Sequence, residues 1–264
     1  MKKFWIGLLI NIQFFTALPI HASLPMEREF IASSMRTFPI LGLLKGIIYS
    51  SLVYILLNVS PFSLLAVAFL LWVGMICLTG GLHLDGWMDA SDAFFSYQEQ
   101  EKRLEIMKDP RIGAFGVLSV LLLLSAKFLF IYEILQNWQA IDYVLLLLLP
   151  FFSKMVMGLL LIYVPEAKES GLGSFFKRAA SPHITFVYLG YMIICVLALF
   201  FFYQEGLTVV LLLLTVSALS YFFLSKKMIK WFGGLTGDLL GASVEGTELI
   251  LWASLWLLHY FVMG

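Results

Sequence analysis

Long apolar runs decide what this chain of 264 residues can fold into. A helix that crosses a bilayer needs about 20 consecutive, mainly apolar residues, with roughly 17 to 25 observed. Seven runs fit this length, at 38–58, 62–82, 113–136, 142–164, 184–203, 207–224 and 247–263. They predict an all-α fold, a polytopic helical bundle in the membrane that forms one domain over residues 1–264.

The breaks between these runs alternate between short and long, and only the long breaks are basic. The short breaks, near 59–61, 137–141 and 204–206, contain no Lys or Arg. The long breaks, near 21–37, 83–112, 165–183 and 225–246, contain twelve, namely Arg28, Arg36, Lys102, Arg103, Lys108, Arg111, Lys168, Lys177, Arg178, Lys226, Lys227 and Lys230. Because basic loops stay cytoplasmic, we predict a multi-pass protein of the cytoplasmic membrane with its four long breaks, as loops, in the cytoplasm.

The first apolar stretch, 4–20, is interrupted by Asn11, Gln13 and Thr16 and ends at Pro19. This pattern favours a re-entrant or interfacial helix at the N-terminus. A spanning helix is a second interpretation, although it would put Lys2 and Lys3 or the 21–37 break on the wrong side. A signal peptide is a third.

Composition excludes several classes of protein. The chain is 61% hydrophobic and 13% charged, whereas soluble domains are nearer half apolar and about a quarter charged. Disordered, nucleic-acid-binding and disulfide-built secreted proteins are therefore excluded.

Cys77 and Cys195 lie in apolar runs, and we interpret them as small buried hydrophobic residues. We expect membrane lipid around the bundle and no nucleic acid, and we leave a homo-oligomer open.

The acidic residues bear on the function class. Ion-coupled transporters usually carry acids near the bilayer midplane, but no Asp or Glu lies in the middle of a predicted span. Glu133, Asp142 and Glu205 lie toward the outer ends, and nearly all other acids fall in the cytoplasmic breaks. This distribution favours a membrane enzyme over a transporter.

Three aspartates form the densest acidic group. Asp85, Asp89 and Asp92 follow the pair Gly80–Gly81 at spacings i, i+4 and i+7, which puts them within about 60° of one another on a helix. The three carboxylates of such a stripe repel one another unless a bound cation neutralises their charge. Carboxylate oxygens suit Mg²⁺, Mn²⁺ or Ca²⁺, so we predict a metal site here. A solvated acidic helix face is the alternative.

Basic residues follow the aspartates closely, namely Lys102, Arg103, Lys108 and Arg111, with Asp109 between the last two. A divalent metal beside cationic side chains is typical of phosphoryl transfer. Cytoplasmic loops carry bases in any case, so for Lys102 and Arg103 the topological interpretation is preferred.

A second polar group lies at 233–248. Asp238, Glu245 and Glu248 fall on one side of a helix that is otherwise small and uncharged. Carboxylates in such a close-packed helix need partners. They are candidates for completing a metal shell or for holding Lys and Arg side chains, and a packing helix with a polar rim is the alternative.

Four basic side chains lie in or beside predicted spans. Lys45 is near enough to the cytoplasmic end to snorkel. Lys127 and Lys154 are nearer mid-span, where a charge is costly, so each faces an anionic substrate or pairs with a carboxylate. His83, next to the aspartate stripe, is a candidate base or a residue that orients an Asp, with a structural role as the alternative.

At these residues the chain resembles a known family. The run 80–92, with its continuation 103–113, looks like the signature of cobalamin synthases, which are adenosylcobinamide-GDP ribazoletransferases. Further matches at 38–43, 126–127, 171–173 and 233–248 extend the resemblance through most of the chain, and the motif at 233–248 is as specific as the one at 80–113. Two departures are that Ala17 follows Thr16 where the family commonly has Arg, and that Lys154 stands where Arg is usual.

The resemblance implies transfer of the adenosylcobinamide-phosphate moiety of adenosylcobinamide-GDP to α-ribazole or its 5′-phosphate. GMP leaves and adenosylcobalamin or its 5′-phosphate forms, a late step of vitamin B12 nucleotide-loop assembly that requires Mg²⁺. The expected roles are metal binding by the aspartate stripe, completion of the shell or base catalysis by Asp109, Asp238 and Glu245, and charge stabilisation by Arg111, Lys127 and Lys154, on the cytoplasmic side.

Two other functions are weighed against this one. The Asp-Gly-x-x-Asp run at 85–89 is similar to part of the motif of CDP-alcohol phosphotransferases, the lipid synthases, but Asp89 and the missing Arg break the full pattern. A membrane transporter is the second alternative, and Lys127 and Lys154 are the residues that would support it.

Overall fold

The computed structural model describes residues 2–168, 171–204 and 206–263, with 262–263 described by backbone alone. Glu205, which was placed at an outer span end, lies outside the described residues. Twelve α-helices make up most of the described chain: α1 (Lys2–Phe15), α2 (Arg28–Arg36), α3 (Phe38–Asn58), α4 (Leu64–Thr79), α5 (Leu82–Phe95), α6 (Gln100–Ile106), α7 (Ala114–Gln136), α8 (Ala140–Tyr163), α9 (Leu172–Lys177), α10 (His183–Phe202), α11 (Gly206–Phe232) and α12 (Gly237–Leu258). A π-helical turn, His259–Met263, follows.

Five of these helices are long and apolar enough to cross a bilayer, namely α3, α7, α8, α10 and α11. They match five of the seven predicted runs, and the polytopic helical fold is thereby confirmed. The run predicted at 62–82 corresponds to α4, which is too short to count as a span by itself. Together with α5, which meets it at 86°, it is long and apolar enough for one bent span. The run predicted at 247–263 lies in α12, which is not among the candidate spans of the described chain. The number of seven crossings stays a prediction.

Helix α8 forms the centre of the bundle, because 89% of its most apolar stretch is buried. Its contact with α3 is the most extensive contact between any two helices of the described chain. Two glycines of α3, Gly42 and Gly46, permit this approach, since a Cβ at either one would collide with the α8 backbone near Leu147 and Pro150. Small residues one turn apart bring membrane helices close in this way.

The right-angled bend between α4 and α5 is built on two glycines. Gly80 has φ 63° and Gly81 has φ 78°, a left-handed conformation that side chains other than glycine adopt at a cost. Gly80 also closes the end of α4, where its N–H bonds to the Ile76 and Cys77 carbonyls. We place α5, with its three aspartates, outside the spanning segments.

Helix α12 begins ten residues before the predicted run. Thr236 caps it, its hydroxyl accepting a hydrogen bond from the Leu239 N–H at 3.2 Å. Its first turns lie against α5, so closely that a Cβ at Gly241 would lie 3.2 Å from His83 Cα and one at Gly246 would lie 3.2 Å from the Trp87 ring. This early start carries Glu245 and Glu248 into the buried part of the bundle, where, as one of the two expected roles, they hold lysine side chains.

Each of the four long breaks contains helical residues, which corrects their description as loops. They contain α2, α5, α6 and α9, and α11 continues to Phe232. Three of them contact one another: Lys168 Nζ donates to the Leu104 carbonyl at 2.6 Å, and Gln100 Nε2 donates to the Lys230 carbonyl at 2.9 Å. Helix α2 contacts α9. The basic breaks therefore gather at one end of the bundle.

Helix α1 is built into this end of the fold. Its 14 residues extend about 21 Å at 1.5 Å per residue, too short for a bilayer core of about 30 Å. Asn11 is buried and its Nδ2 donates to the Ser34 carbonyl at 2.7 Å and to Thr37 Oγ1 at 2.8 Å. A short helix packed against α2 and the start of α3 fits the interfacial or re-entrant interpretation better than a span.

Both cysteines are free thiols, as predicted. The prediction that both are buried is wrong: Cys77 is exposed and Cys195 is half-buried. Cys77 lies on a face of α4 that points away from the core, whereas Cys195 packs against the edge of the core. Periodicity alone could not separate these faces, because both helices are apolar all round.

Candidate active site

One cavity of about 350 Å³ opens at the end of the bundle where the basic breaks meet. Helices α1, α3, α5, α8, α9 and α12 enclose it. The lining side chains fall into an apolar group and a charged group, with glycine-rich backbone between them: Phe15, Phe38, Leu82, His83, Asp85, Lys108, Met157, Leu161, Lys168, Gly171, Leu172, Gly173, Phe176, Thr236, Gly237, Asp238, Leu240 and Gly241.

Two carboxylates line the charged part, Asp85 from α5 and Asp238 from the first turn of α12. A close backbone contact joins these helices, since a Cβ at Gly86 would meet the Asp238 carbonyl oxygen at 2.5 Å. Asp89 lies one turn beyond Asp85 on α5, as predicted. Burial, and after it the charges of Asp85, Asp238 and Asp92, raise the pKa of Asp89 to about 6. The acidic stripe is thus one electrostatically coupled group.

Asp92, the third aspartate of the stripe, has protein partners of its own. Its two carboxylate oxygens accept hydrogen bonds from the Gly113 N–H at 2.8 Å and the Gly116 N–H at 2.7 Å. These are unpaired donors at the start of α7, where a carboxylate is favoured. A Cβ at either glycine would collide with the Asp92 carboxylate. Asp92 therefore fastens α5 to the first turn of α7.

Two lysines complete the charged part of the cavity. Lys108 comes from the segment after α6 and Lys168 from the segment after α8. Burial and the neighbouring Lys108 lower the pKa of Lys168, and Asp238 acts in the opposite direction. Asp85, Asp238, Lys108 and Lys168 thus lie in one polar group that combines cations and anions.

Asp109 and Arg111, both predicted site residues, pair with each other. Arg111 Nε and Nη2 donate to the Asp109 carboxylate at 2.9 and 2.6 Å. This bidentate pair lowers the pKa of Asp109 to about 2. The Arg111 side chain is 88% exposed, and neither residue lines the cavity. Their predicted catalytic roles stay predictions.

Lys127 and Glu245 belong to a buried ionic cluster that is separate from the cavity lining. Lys127 Nζ donates to Glu245 Oε2 at 2.5 Å and to Glu248 Oε2 at 3.2 Å. Lys45 Nζ lies 3.6 Å from Glu248 Oε1 and is 2% exposed. Of the two roles considered for Lys127, pairing with a carboxylate is the one observed. The expectation that Lys45 snorkels to the membrane surface is wrong, because Glu248 holds its ammonium group inside the bundle.

His83 connects the cavity to a further buried base. Its Nε2 lies 2.7 Å from Lys154 Nζ, and its ring stacks on Phe15 with centroids 6.0 Å apart. Burial, followed by the charge of Lys154, lowers the pKa of His83 well below its ordinary value. His83 lines the cavity and Lys154 does not. The contact places Lys154 behind His83, as a support for its ring.

Sequence reasoning did not assign several lining residues to the site. Lys168 was counted only as a topological base, although it lies three positions before Gly171, which begins the glycine-rich 171–173 segment that could have pointed to it. Gly171 has φ 94°, and a Cβ at Gly173 would lie 2.8 Å from the Gly237 nitrogen. Phe38 begins the 38–43 match but was not assigned to the site, and Phe15 and Phe176 carried no signal in so apolar a chain.

The predicted metal ligands do not form a closed cage. Among the described residues, no three His, Cys, Asp or Glu side chains converge so as to hold a metal ion by themselves. Asp85 and Asp89 have no hydrogen bond or ion pair to another side chain of the described residues. Any ion bound by them would need further ligands from water or substrate.

Comparison with known proteins gives a consistent result. A family model described as cobalamin-5-phosphate synthase matches residues 7–256. A Geobacillus sp. (strain WCH70) protein named adenosylcobinamide-GDP ribazoletransferase is 39% identical over the full length of both chains. Relatives of the same name from Halalkalibacterium halodurans and Acinetobacter baumannii are 36% and 32% identical, over 97% and 95% of each chain. No solved structure matches the chain.

Proposed function

The chain belongs to the cobalamin-5-phosphate synthase family, and we propose that it acts as an adenosylcobinamide-GDP ribazoletransferase. A hydroxyl oxygen of α-ribazole, or of its 5′-phosphate, attacks the phosphorus on the cobinamide side of adenosylcobinamide-GDP. A new P–O bond forms, the P–O bond to GMP breaks, and the hydroxyl proton passes to a base. The products are GMP and adenosylcobalamin or its 5′-phosphate.

The observation that carries this proposal is the mixed charge of the cavity. Asp85 and Asp238 lie in the same polar group as Lys108 and Lys168. Displacement at a diphosphate needs positioning and charge stabilisation more than covalent chemistry. Ammonium groups bind phosphate oxygens, and carboxylates accept protons or hold a metal ion, so this group supplies what the reaction requires.

The donor set suits Mg²⁺, which we propose as the cofactor. Proteins commonly hold Mg²⁺ through one or two carboxylates together with water and substrate phosphates. Asp85 and Asp89 fit that arrangement, because their oxygens have no other side-chain partner in the described chain and their mutual repulsion calls for a cation. When bound, Mg²⁺ would supply neutralisation of diphosphate oxygens. Asp92, tied to α7, would keep this part of α5 in place.

The remaining roles follow from position. Lys108 and Lys168 would hold phosphate oxygens of the substrates. Asp238 is our candidate base for the attacking hydroxyl, because it lines the cavity and burial raises its pKa. Asp109 and Glu245, the other candidate bases, lie outside the cavity lining. His83, whose ring is held by Lys154, would form the cavity wall next to Asp85 and keep that carboxylate in its orientation.

We place this site on the cytoplasmic side of the cytoplasmic membrane. The basic breaks that favour a cytoplasmic location are the segments that meet around the cavity, and Lys108 and Lys168 come from two of them. The substrates, a nucleotide-linked corrinoid and a ribazole, would then reach the site from the compartment that supplies nucleotides. Membrane lipid would surround the apolar helices of the bundle.

The test is release of GMP by the detergent-purified protein given adenosylcobinamide-GDP and α-ribazole 5′-phosphate, with Mg²⁺ or EDTA. We expect release that requires both substrates and stops with EDTA. Asp85→Asn and Asp89→Asn abolish it, whereas Glu101→Gln, on the exposed surface of α6, does not. Retained turnover in both Asn variants would contradict the metal assignment. Absence of GMP release by the folded wild type, with CMP release from a CDP-alcohol instead, would point to a lipid synthase.

A further inference from the structure

A second cavity, of about 410 Å³, opens on the side of the bundle between the candidate spanning helices α3, α8 and α10. It is a groove with an almost wholly apolar lining. Its floor is buried at Leu148, Phe151 and Leu199, whereas Ile194 at its rim is 65% exposed. The groove shares no lining residue with the cavity that holds the aspartates. It is therefore a separate feature, accessible from the bilayer.

The groove has a polar end at Arg36, the last residue of α2. Tyr188 Oη donates to the Met35 carbonyl at 2.6 Å and so fixes the last turn of α2 against α10. Arg36 lies close enough to Tyr191, a residue of the groove, for its charge to act on the phenol group. Within the described chain, neither the exposed Arg36 guanidinium nor the Tyr191 hydroxyl has a hydrogen bond or an ion pair. Two unused donors thus lie at one end of an apolar groove.

The depth of Arg36 matches the headgroup layer of a membrane. Helix α3 begins two residues after Arg36, and it has 21 residues. It extends about 31 Å at 1.5 Å per residue, which is close to the bilayer core of about 30 Å. Arg36 therefore lies at one boundary of that core, at the end that we place in the cytoplasm. Between Tyr191 and Leu199, the groove follows α10 for about 12 Å toward the other boundary.

We infer that an anionic phospholipid of the cytoplasmic leaflet binds here, with an acyl chain in the groove and its phosphate group at Arg36 and Tyr191. An arginine fork matches phosphate oxygens. Basic pockets between spanning helices on the cytoplasmic side are typical sites for anionic headgroups. An apolar helix of a second copy would cover the walls of the groove but leave the Arg36 charge without an anion. The lipid satisfies both ends of the groove at once.

The headgroup is tested by native mass spectrometry of the detergent-purified protein, titrated with phosphatidylglycerol or with phosphatidylcholine of identical acyl chains. We expect the wild type to bind phosphatidylglycerol about fivefold more tightly, the preference that one arginine supplies near an anionic lipid. Arg36→Gln removes this preference and leaves phosphatidylcholine binding unchanged. Arg28→Gln, an exposed position at the other end of α2, keeps the preference and is the control.

The acyl chain is tested by filling the groove. Ala198 lines the groove, whereas Ile193 is 60% exposed on the same helix and lies outside it. Ala198→Trp therefore abolishes the tight binding of both lipids, and Ile193→Trp changes neither. If Ala198→Trp does not fold by circular dichroism and size-exclusion chromatography, Ile194→Trp at the rim of the groove is measured instead.

Other results overturn the inference. Equal affinity of the wild type for the two lipids, or an Arg36→Gln variant that keeps the preference, excludes Arg36 as the headgroup ligand. Unchanged lipid binding by the groove-filling variant excludes the groove. A dimer without bound lipid that the same variant dissociates assigns the groove to a second copy. Lipid binding is measured without substrates, so the outcome is independent of GMP release and of the proposed function.

Discussion

Removing one charge from the buried cluster of Lys45, Lys127, Glu245 and Glu248 provides the sharpest test of the packing. Glu245→Gln deletes the carboxylate that lies 2.5 Å from Lys127 Nζ. Both side chains are 6% exposed, so water cannot replace the lost partner. Breaking a buried pair by removing one member costs about 3–5 kcal/mol. Because Glu248 still lies 3.2 Å from Lys127, we expect the lower end, about 3 kcal/mol.

The loss comes from the uncompensated ammonium, so removing that ammonium as well recovers stability. We expect the double variant Lys127→Met with Glu245→Gln to regain more than half of the lost free energy of unfolding, leaving the Lys45–Glu248 pair in place. The assay is an SDS titration in mixed micelles, followed by circular dichroism, for the wild type, both single variants and the double variant. If the role of Glu245 is to hold Lys127, the turnover of the double variant recovers together with its stability. If Glu245 is the catalytic base, stability recovers and turnover does not.

A surface pair of similar geometry supplies the control. Lys102 and Glu105 lie 2.8 Å apart, but their side chains are 56% and 69% exposed. Exposed pairs contribute about 0–1 kcal/mol, so Glu105→Gln has little effect. Equal losses for Glu245→Gln and Glu105→Gln, or a double variant no more stable than Glu245→Gln, would refute the argument that burial makes the cluster costly to break.

Three further outcomes follow from the site. Asp92→Asn removes the carboxylate that bonds to the start of α7 and lowers the free energy of unfolding by about 1 kcal/mol; an unchanged SDS midpoint contradicts this role. Asp89, with its pKa raised to about 6, takes up a proton as the pH falls from 7 to 5. Because a neutral carboxyl is a poor metal ligand, the Mg²⁺ concentration for half-maximal turnover rises below pH 6, and a flat profile excludes Asp89 as a ligand. Lys168→Met lowers kcat/KM at least about tenfold, since hydrogen bonds to charged groups contribute about 1.5–3 kcal/mol, whereas exposed Lys226→Met leaves it unchanged.

The features that could be predicted from sequence are local. The apolar runs identify five spanning helices, the i, i+4, i+7 spacing places the aspartates on one helix, and Gly80–Gly81 marks the bend before it. Each of these depends on residues close together in the chain. Backbone hydrogen bonding within a helix and the φ preference of glycine determine them without help from the rest of the fold.

The features that could not be predicted depend on long-range contacts. Lys45 pairs with Glu248, more than two hundred residues away in the chain, and no spacing rule reveals that contact. Arg111 pairs with Asp109 instead of entering the cavity. Phe176 resembles the chain's many other phenylalanines in sequence and becomes distinct only because α9 folds back onto α1 and α3.

The link from Asp92 to Gly113 and Gly116 has a consequence for the way the membrane acts on the site. Helix α7 is one of the candidate spanning helices, and helices that span a bilayer adjust their tilt to its thickness. Since Asp92 joins the first turn of α7 to the helix that carries Asp85 and Asp89, a change in tilt is transmitted to those carboxylates. If the proposed reaction takes place at these carboxylates, acyl-chain length in the surrounding lipid becomes a mechanical variable of it, and the hydrogen bonds of Asp92 are one route of that coupling.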